Sequence, residues 1–75
     1  MKELETVVLK RDVPEHGLVS GDVGAIVLVH GEDEAYEVEF VSAEGHTIAV
    51  LTLTPAEVRA PAGKEILHVR RLASA

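Results

Sequence analysis

The stretch Leu18-Val19-Ser20-Gly21-Asp22-Val23-Gly24-Ala25-Ile26-Val27-Leu28-Val29 constrains this chain most. A glycine-punctuated turn at Ser20–Gly24 runs straight into a strand, about Gly24 to His30, that is apolar on both faces. Side chains alternate along a strand, so Ala25, Val27 and Val29 share one face and Ile26 and Leu28 the other. Such a strand must sit centrally in a closed sheet or be covered by another element. Thr47 to Leu53 repeats the problem, with Ile48, Val50 and Thr52 set against Ala49, Leu51 and Leu53. A chain of 75 residues buries only about 60% of the surface its unfolded form exposes. It has no cysteine, so no disulfide or thiolate-bound metal can help. The two strands therefore offer more apolar positions than one small interior can hold. Some of Ile26, Leu28, Ile48 and Val50, or their opposite-face neighbours, are expected to reach the surface as an interface.

The other elements are simpler to read. Leu4 to Arg11 is predicted as a first strand, with β-branched residues at its centre and Val7 and Leu9 facing together. Pro14 removes a backbone donor and Gly17 can take a positive φ, so Asp12 to Gly21 is a long loop. Gly31-Glu32-Asp33-Glu34 is a hairpin tip. Ala35 to Val41 alternates cleanly, with Tyr36, Val38 and Phe40 inward and Glu37 and Glu39 outward. Ser42-Ala43-Glu44-Gly45-His46 is the next hairpin loop, with Gly45 at its left-handed position. Thr54, Pro55 and Glu57 are helix-start signals, but Pro61 and Gly63 allow only about one turn, predicted as 3₁₀. Glu65 to Leu72 is predicted as the last strand, and Ala73-Ser74-Ala75 as frayed.

The order of these pieces predicts one all-β domain over residues 1–75. It is expected to be a small five-stranded SH3-like barrel with one short 3₁₀ turn before the last strand. An OB-fold would place a longer helix where the five-residue hairpin Ser42–His46 stands.

Leu4-Glu5-Thr6-Val7-Val8-Leu9, Asp12-Val13-Pro14-Glu15-His16-Gly17-Leu18 and Gly21-Asp22-Val23-Gly24 together resemble the bacterial domain-of-unknown-function family 4926. Ala35-Tyr36-Glu37-Val38-Glu39-Phe40 and Glu65-Ile66-Leu67-His68-Val69-Arg70 extend the resemblance over nearly the whole chain. The resemblance implies an SH3-like barrel and implies no established activity. Gly21-x-x-Gly24-x-x-Val27 is also similar to the glycine turn of KOW-type modules, over that one turn.

Thirteen acidic against seven basic side chains give a formal charge of −6. That charge repels phosphate backbones, and one Tyr and one Phe provide few stacking platforms, so no nucleic-acid partner is expected. No apolar run approaches the ~20 residues of a membrane span, and the N-terminal stretch carries no signal-peptide core. A cytoplasmic protein is expected.

The chemistry-bearing residues are scattered. His16, His30, His46 and His68 lie in four segments without ligand spacing; His68 is expected to be partly buried and the others solvated. Glu32-Asp33-Glu34 lacks the spaced oxygen ligands of a calcium loop and reads as a solubilising tip. Glu37 and Glu39, ~7 Å apart on one face, could do acid–base work only in a pocket that shifts one of them. They are expected instead to pair across strands with Lys10, Arg59 or similar. Ser20, Ser42 and Ser74 have no nucleophile elbow around them. Arg70-Arg71 is a basic spot on an acidic protein. No catalytic residue, metal ligand or cofactor site is assigned. The sequence favours a non-enzymatic protein-binding module working through an apolar strand face or edge, on a protein partner or on itself as a homodimer. A KOW-like accessory module and an antitoxin-like or immunity-like protein masking a basic site are the alternatives.

Overall fold

The central alternating strand sets the frame of the molecule. In the computed structural model, which describes residues 1–72, Tyr36, Val38 and Phe40 point inward at 2%, 0% and 1% exposure. The expected fraying at Ala73-Ser74-Ala75 lies outside the described residues. The elements are β1 (Thr6–Leu9), a 3₁₀ turn (Pro14–His16), β2 (Val23–His30), β3 (Ala35–Val41), β4 (Thr47–Leu53) and β5 (Val58–Arg59). They form one antiparallel sheet in the order β4-β3-β2-β1-β5. The two edges, β4 and β5, are not paired with each other, so hydrogen bonds do not close the sheet into the expected barrel.

Two bulges resolve the doubly apolar strands. Ile26 pairs with Val38 and Leu28 with Glu37, which leaves Val27 as an extra residue on β2. A bulge of one residue resets the side-chain phase of its strand. Gly24 and Ile26 face inward before it; Val29 packs against the core after it, opposite Tyr36. Ile48 does the same on β4, between the pairs Phe40–Ala49 and Val41–Thr47. Beyond it Ala49, Leu51 and Leu53 turn inward and Val50 and Thr52 outward. Strict alternation misses this, because an extra residue shifts the face without altering composition.

The loop after β1 also contributes to the interior. Val13 and Leu18 form an isolated bridge on either side of the 3₁₀ turn and are 3% and 2% exposed. Gly17, at φ 69°, ends that turn and donates its N–H to the Pro14 carbonyl. The core is thus built from Val7, Leu9, Ile26, Val38, Phe40, Leu53 and Val58 with Val13 and Leu18 closing one end. Each such side chain, fully buried, adds about 1.5–3 kcal/mol.

Two expectations about the C-terminal part are corrected. The strand that pairs with β1 is the two-residue β5, with Leu9 opposite Val58 and Val8 opposite Arg59; Glu65–Leu72 is not a strand. Val58 fills a core position and so holds the pairing, whereas Pro61 and Gly63 interrupt the chain before Glu65. The 3₁₀ turn lies at Pro14–His16 and not at Thr54. Thr54–Glu57 is a plain turn in which the Glu57 carboxylate accepts from the Thr54 N–H at 2.8 Å, half of a capping box. The first strand is also shorter than expected: Leu4 sits at φ 71° and Lys10–Arg11 have left the sheet.

Among the described residues no helix is long and apolar enough to cross a membrane.

Candidate functional site

The outward face of β2, β3 and β4 carries the residues of interest. Cross-strand register places Leu28, Glu37 and Thr52 in one row and Ala25, Glu39 and Val50 in the next. Leu28 is 45% exposed and Val50 51%. Ile26 does not belong to this surface: it is fully buried against Val38, on the inward face that the Val27 bulge preserves. Ile48 is partly buried and packs against the core from its bulged position. Of the four expected interface residues, two therefore lie on the surface. Val27, at the bulge, and Val41, at the end of β3, are also exposed.

The glutamates between these apolar side chains are held by hydroxyls and an imidazole, not by Lys10 or Arg59. The Glu37 carboxylate accepts from the Thr52 hydroxyl at 2.7 Å and lies 2.6 Å from His30 Nε2. These contacts, the His30 one above all, hold the Glu37 carboxyl below its usual range. Glu39 accepts from the Thr47 hydroxyl at 2.6 Å. An acid–base pair needs one carboxyl raised towards neutrality, and Glu37 moves the other way. Thr52 donates to the carboxylate and not to the imidazole, so this trio lacks the base beside a nucleophile that covalent catalysis uses. The face is an ionised acidic centre with an apolar rim.

His16, His46 and His68 are exposed; His68 is not partly buried as expected, because it stands on the irregular tail. Among the described residues no group of three or more His, Cys, Asp or Glu is placed to hold a metal ion. Asp33, at the tip, accepts from the Tyr36 hydroxyl at 3.2 Å.

The tail after β5 is a second surface that the strand prediction obscured. Residues 61–72 lie outside the sheet and are clamped to it at two points. The Arg59 guanidinium grips Glu65 through both oxygens, at 2.8 and 2.6 Å. The Arg70 guanidinium grips Asp22 likewise, at 2.7 and 2.5 Å, and donates to the Gly17 carbonyl at 2.8 Å. Planar forked pairs of this kind fix orientation as well as distance. On its inner side the tail lies along Val8, which is 6% exposed although it points out of the core. Further on, Val69 and Leu72 face Leu18, Phe40 and Ile48 across a groove of about 500 Å³. Yet Ile66 and Val69 are each 90% exposed and Leu67 68%.

Both clamps lower the carboxyl they hold. Arg59 draws Glu65 from 4.5 down to about 2, and Arg70 holds Asp22 below its ordinary 3.8. Glu57 is lowered as well, first by the Thr54 N–H and then by Arg11. A carboxyl depressed in the folded state stabilises the fold above its unfolded value and loses that contribution as pH falls through the folded one. The thermal midpoint is accordingly expected to be insensitive to these groups from pH 7 to 5 and to decline below ~4, continuing to ~2. Arg59→Gln should flatten the lowest part of that decline. A calorimetric pH series on both chains checks this, and identical profiles would contradict it.

No curated protein and no solved structure matches the chain. A family model does, over residues 3–60: from just before β1 to just after β5, and not the clamped tail. On that match the chain belongs to the family described as Domain of unknown function (DUF4926).

Proposed function

We propose that the protein is a non-enzymatic protein-binding module. In this reading it docks through the outward face of β2–β4 onto a partner surface that is apolar and basic. The observation that carries this reading is the exposure of Leu28 and Val50 around Glu37 and Glu39 on a rigid sheet. Apolar side chains set on regular strands lose little conformational freedom on binding, and the ionised carboxylates select cations on the partner. The same charge disfavours a phosphate backbone. The architecture that fits is an SH3-like barrel. Its supports are the long loop between β1 and β2, the two hairpins and the return of a short β5 onto β1.

The test is affinity capture from the native cell with the natural chain and with a Leu28→Glu/Val50→Glu double variant. Both positions are solvent-facing, but each new carboxylate lies opposite a native one, Glu37 or Glu39, so the variant should lose about 1–2 kcal/mol and stay folded, which circular dichroism checks. Proteins retained by the natural chain should be lost by the variant, at a cost of about 2 kcal/mol or ~30-fold in affinity. Equal retention by both chains would remove the reading.

A further inference from the structure

We propose that the outward sheet face and the clamped tail are the two halves of one contact, so that the occupant of the face is the tail of a second copy of this chain. The inference rests on the reading of the β2–β4 face as a binding surface and names its partner. Three observations support it.

The first is charge. Residues 1–60 carry four basic and twelve acidic side chains, whereas residues 61–75 carry three basic and one acidic. The tail is thus of opposite sign to the body it is attached to. Arg70 is committed to Asp22, but Lys64 and Arg71 make no ion pair among the described residues. Glu39, on the sheet face, is held only by a hydroxyl. Oppositely charged groups that meet across an interface steer the encounter and fix its register.

The second is apolar surface. Ile66, Leu67 and Val69 are exposed along the tail, between Lys64 and Arg71, at the edges of the grooves it forms with the sheet, and the face offers Leu28 and Val50 beside Glu37 and Glu39. A basic-flanked apolar ridge is therefore set against an apolar-rimmed acidic surface.

The third is order. An exposed apolar segment left as free chain would lose conformational freedom on docking, at about 1–2 kcal/mol per residue for the backbone. Here Arg59–Glu65 and Arg70–Asp22 already hold the segment at both ends. The ridge is presented in advance, which lowers the cost of association. The clamps need not open for the contact to form, because Ile66 and Val69 already face solvent.

Each copy carries both halves, so association grows with concentration and fails when either half is lost. Light-scattering mass across a concentration series, on the full chain at low salt, measures it. The natural chain should rise above the 8.0 kDa of a single chain. Ile66→Glu/Val69→Glu and Leu28→Glu/Val50→Glu should each hold at the single-chain mass, with circular dichroism confirming that both are folded. Mixing the two variants should restore association, because one retains the face and the other the tail. Raising ionic strength from ~0.1 to ~1 M should weaken it, since the screening length falls from about 10 to 3 Å. A natural chain that stays at single-chain mass overturns the inference. So does a tail variant that associates as well as the natural chain, or a mixture that fails to recover. None of these outcomes touches the sheet-face reading, which stands or falls on the capture experiment.

Discussion

Replacing Phe40 by alanine is expected to leave the chain largely unfolded at physiological temperature. Phe40 is 1% exposed, the largest fully buried side chain, and sits inward on β3 opposite Ala49. Truncating a buried phenylalanine costs about 3–5 kcal/mol, the lost transfer energy plus the cavity left behind. A domain of this length has a total stability of about 4–11 kcal/mol at the usual value per residue. With no cysteine to brace it, the loss takes most or all of the lower part of that range. Phe40→Leu keeps most of the volume and should cost only about 1.5 kcal/mol. Urea unfolding of the three chains checks both values, and a Phe40→Ala chain within 1 kcal/mol of the natural one would refute the account of the core.

Gly24→Ala is expected to cost about 3 kcal/mol through crowding, the reverse mechanism at the same place. A Cβ at position 24 would lie 2.7 Å from Val38 Cγ1, 2.9 Å from the Glu39 carbonyl oxygen and 3.0 Å from Phe40 Cε1. The first and last are packed core atoms and the second is backbone of the paired strand, so none can withdraw cheaply. Gly24 and Ala49 thus flank Phe40 from the neighbouring strands, small residues on both sides of a large one. Overpacking of this kind costs about 1–3 kcal/mol, and more when backbone must move. Gly17→Ala is the control. Gly17 has open space around it but a φ of 69°, so only the left-handed conformation is penalised, at about 1 kcal/mol. Denaturant midpoints of the two variants should differ accordingly. Equal losses would mean that conformation, not close approach, fixes glycine at position 24.

The residues differ in how much of this they declare. Tyr36 to Phe40 announces its faces because β3 keeps one phase from end to end and meets solvent on one side only. β2 and β4 do not, because Val27 and Ile48 each add a residue that changes phase partway, and a run of Val, Ile and Leu looks the same in either phase. Strict alternation puts Ile26 and Leu28 on one face, whereas the bulge between them leaves Ile26 buried and Leu28 exposed. β5 is hidden for a different reason: two residues carry no periodicity, and Val58 is placed by Leu9, 49 residues away, not by its neighbours. Glu65–Leu72 has the composition of a strand but no pairing partner in the sheet. The Arg70–Asp22 clamp that places its far end joins residues 48 apart, and no local pattern encodes it.

The tail adds no residue, among those described, to the packed core. The packing that specifies the sheet is consequently written before position 60, and the tail can change without opening the core. Mutational drift after position 60 can reshape the surface the tail presents while the scaffold before it stays intact. Grafting an unrelated clamped segment onto the same scaffold would be the corresponding engineering route.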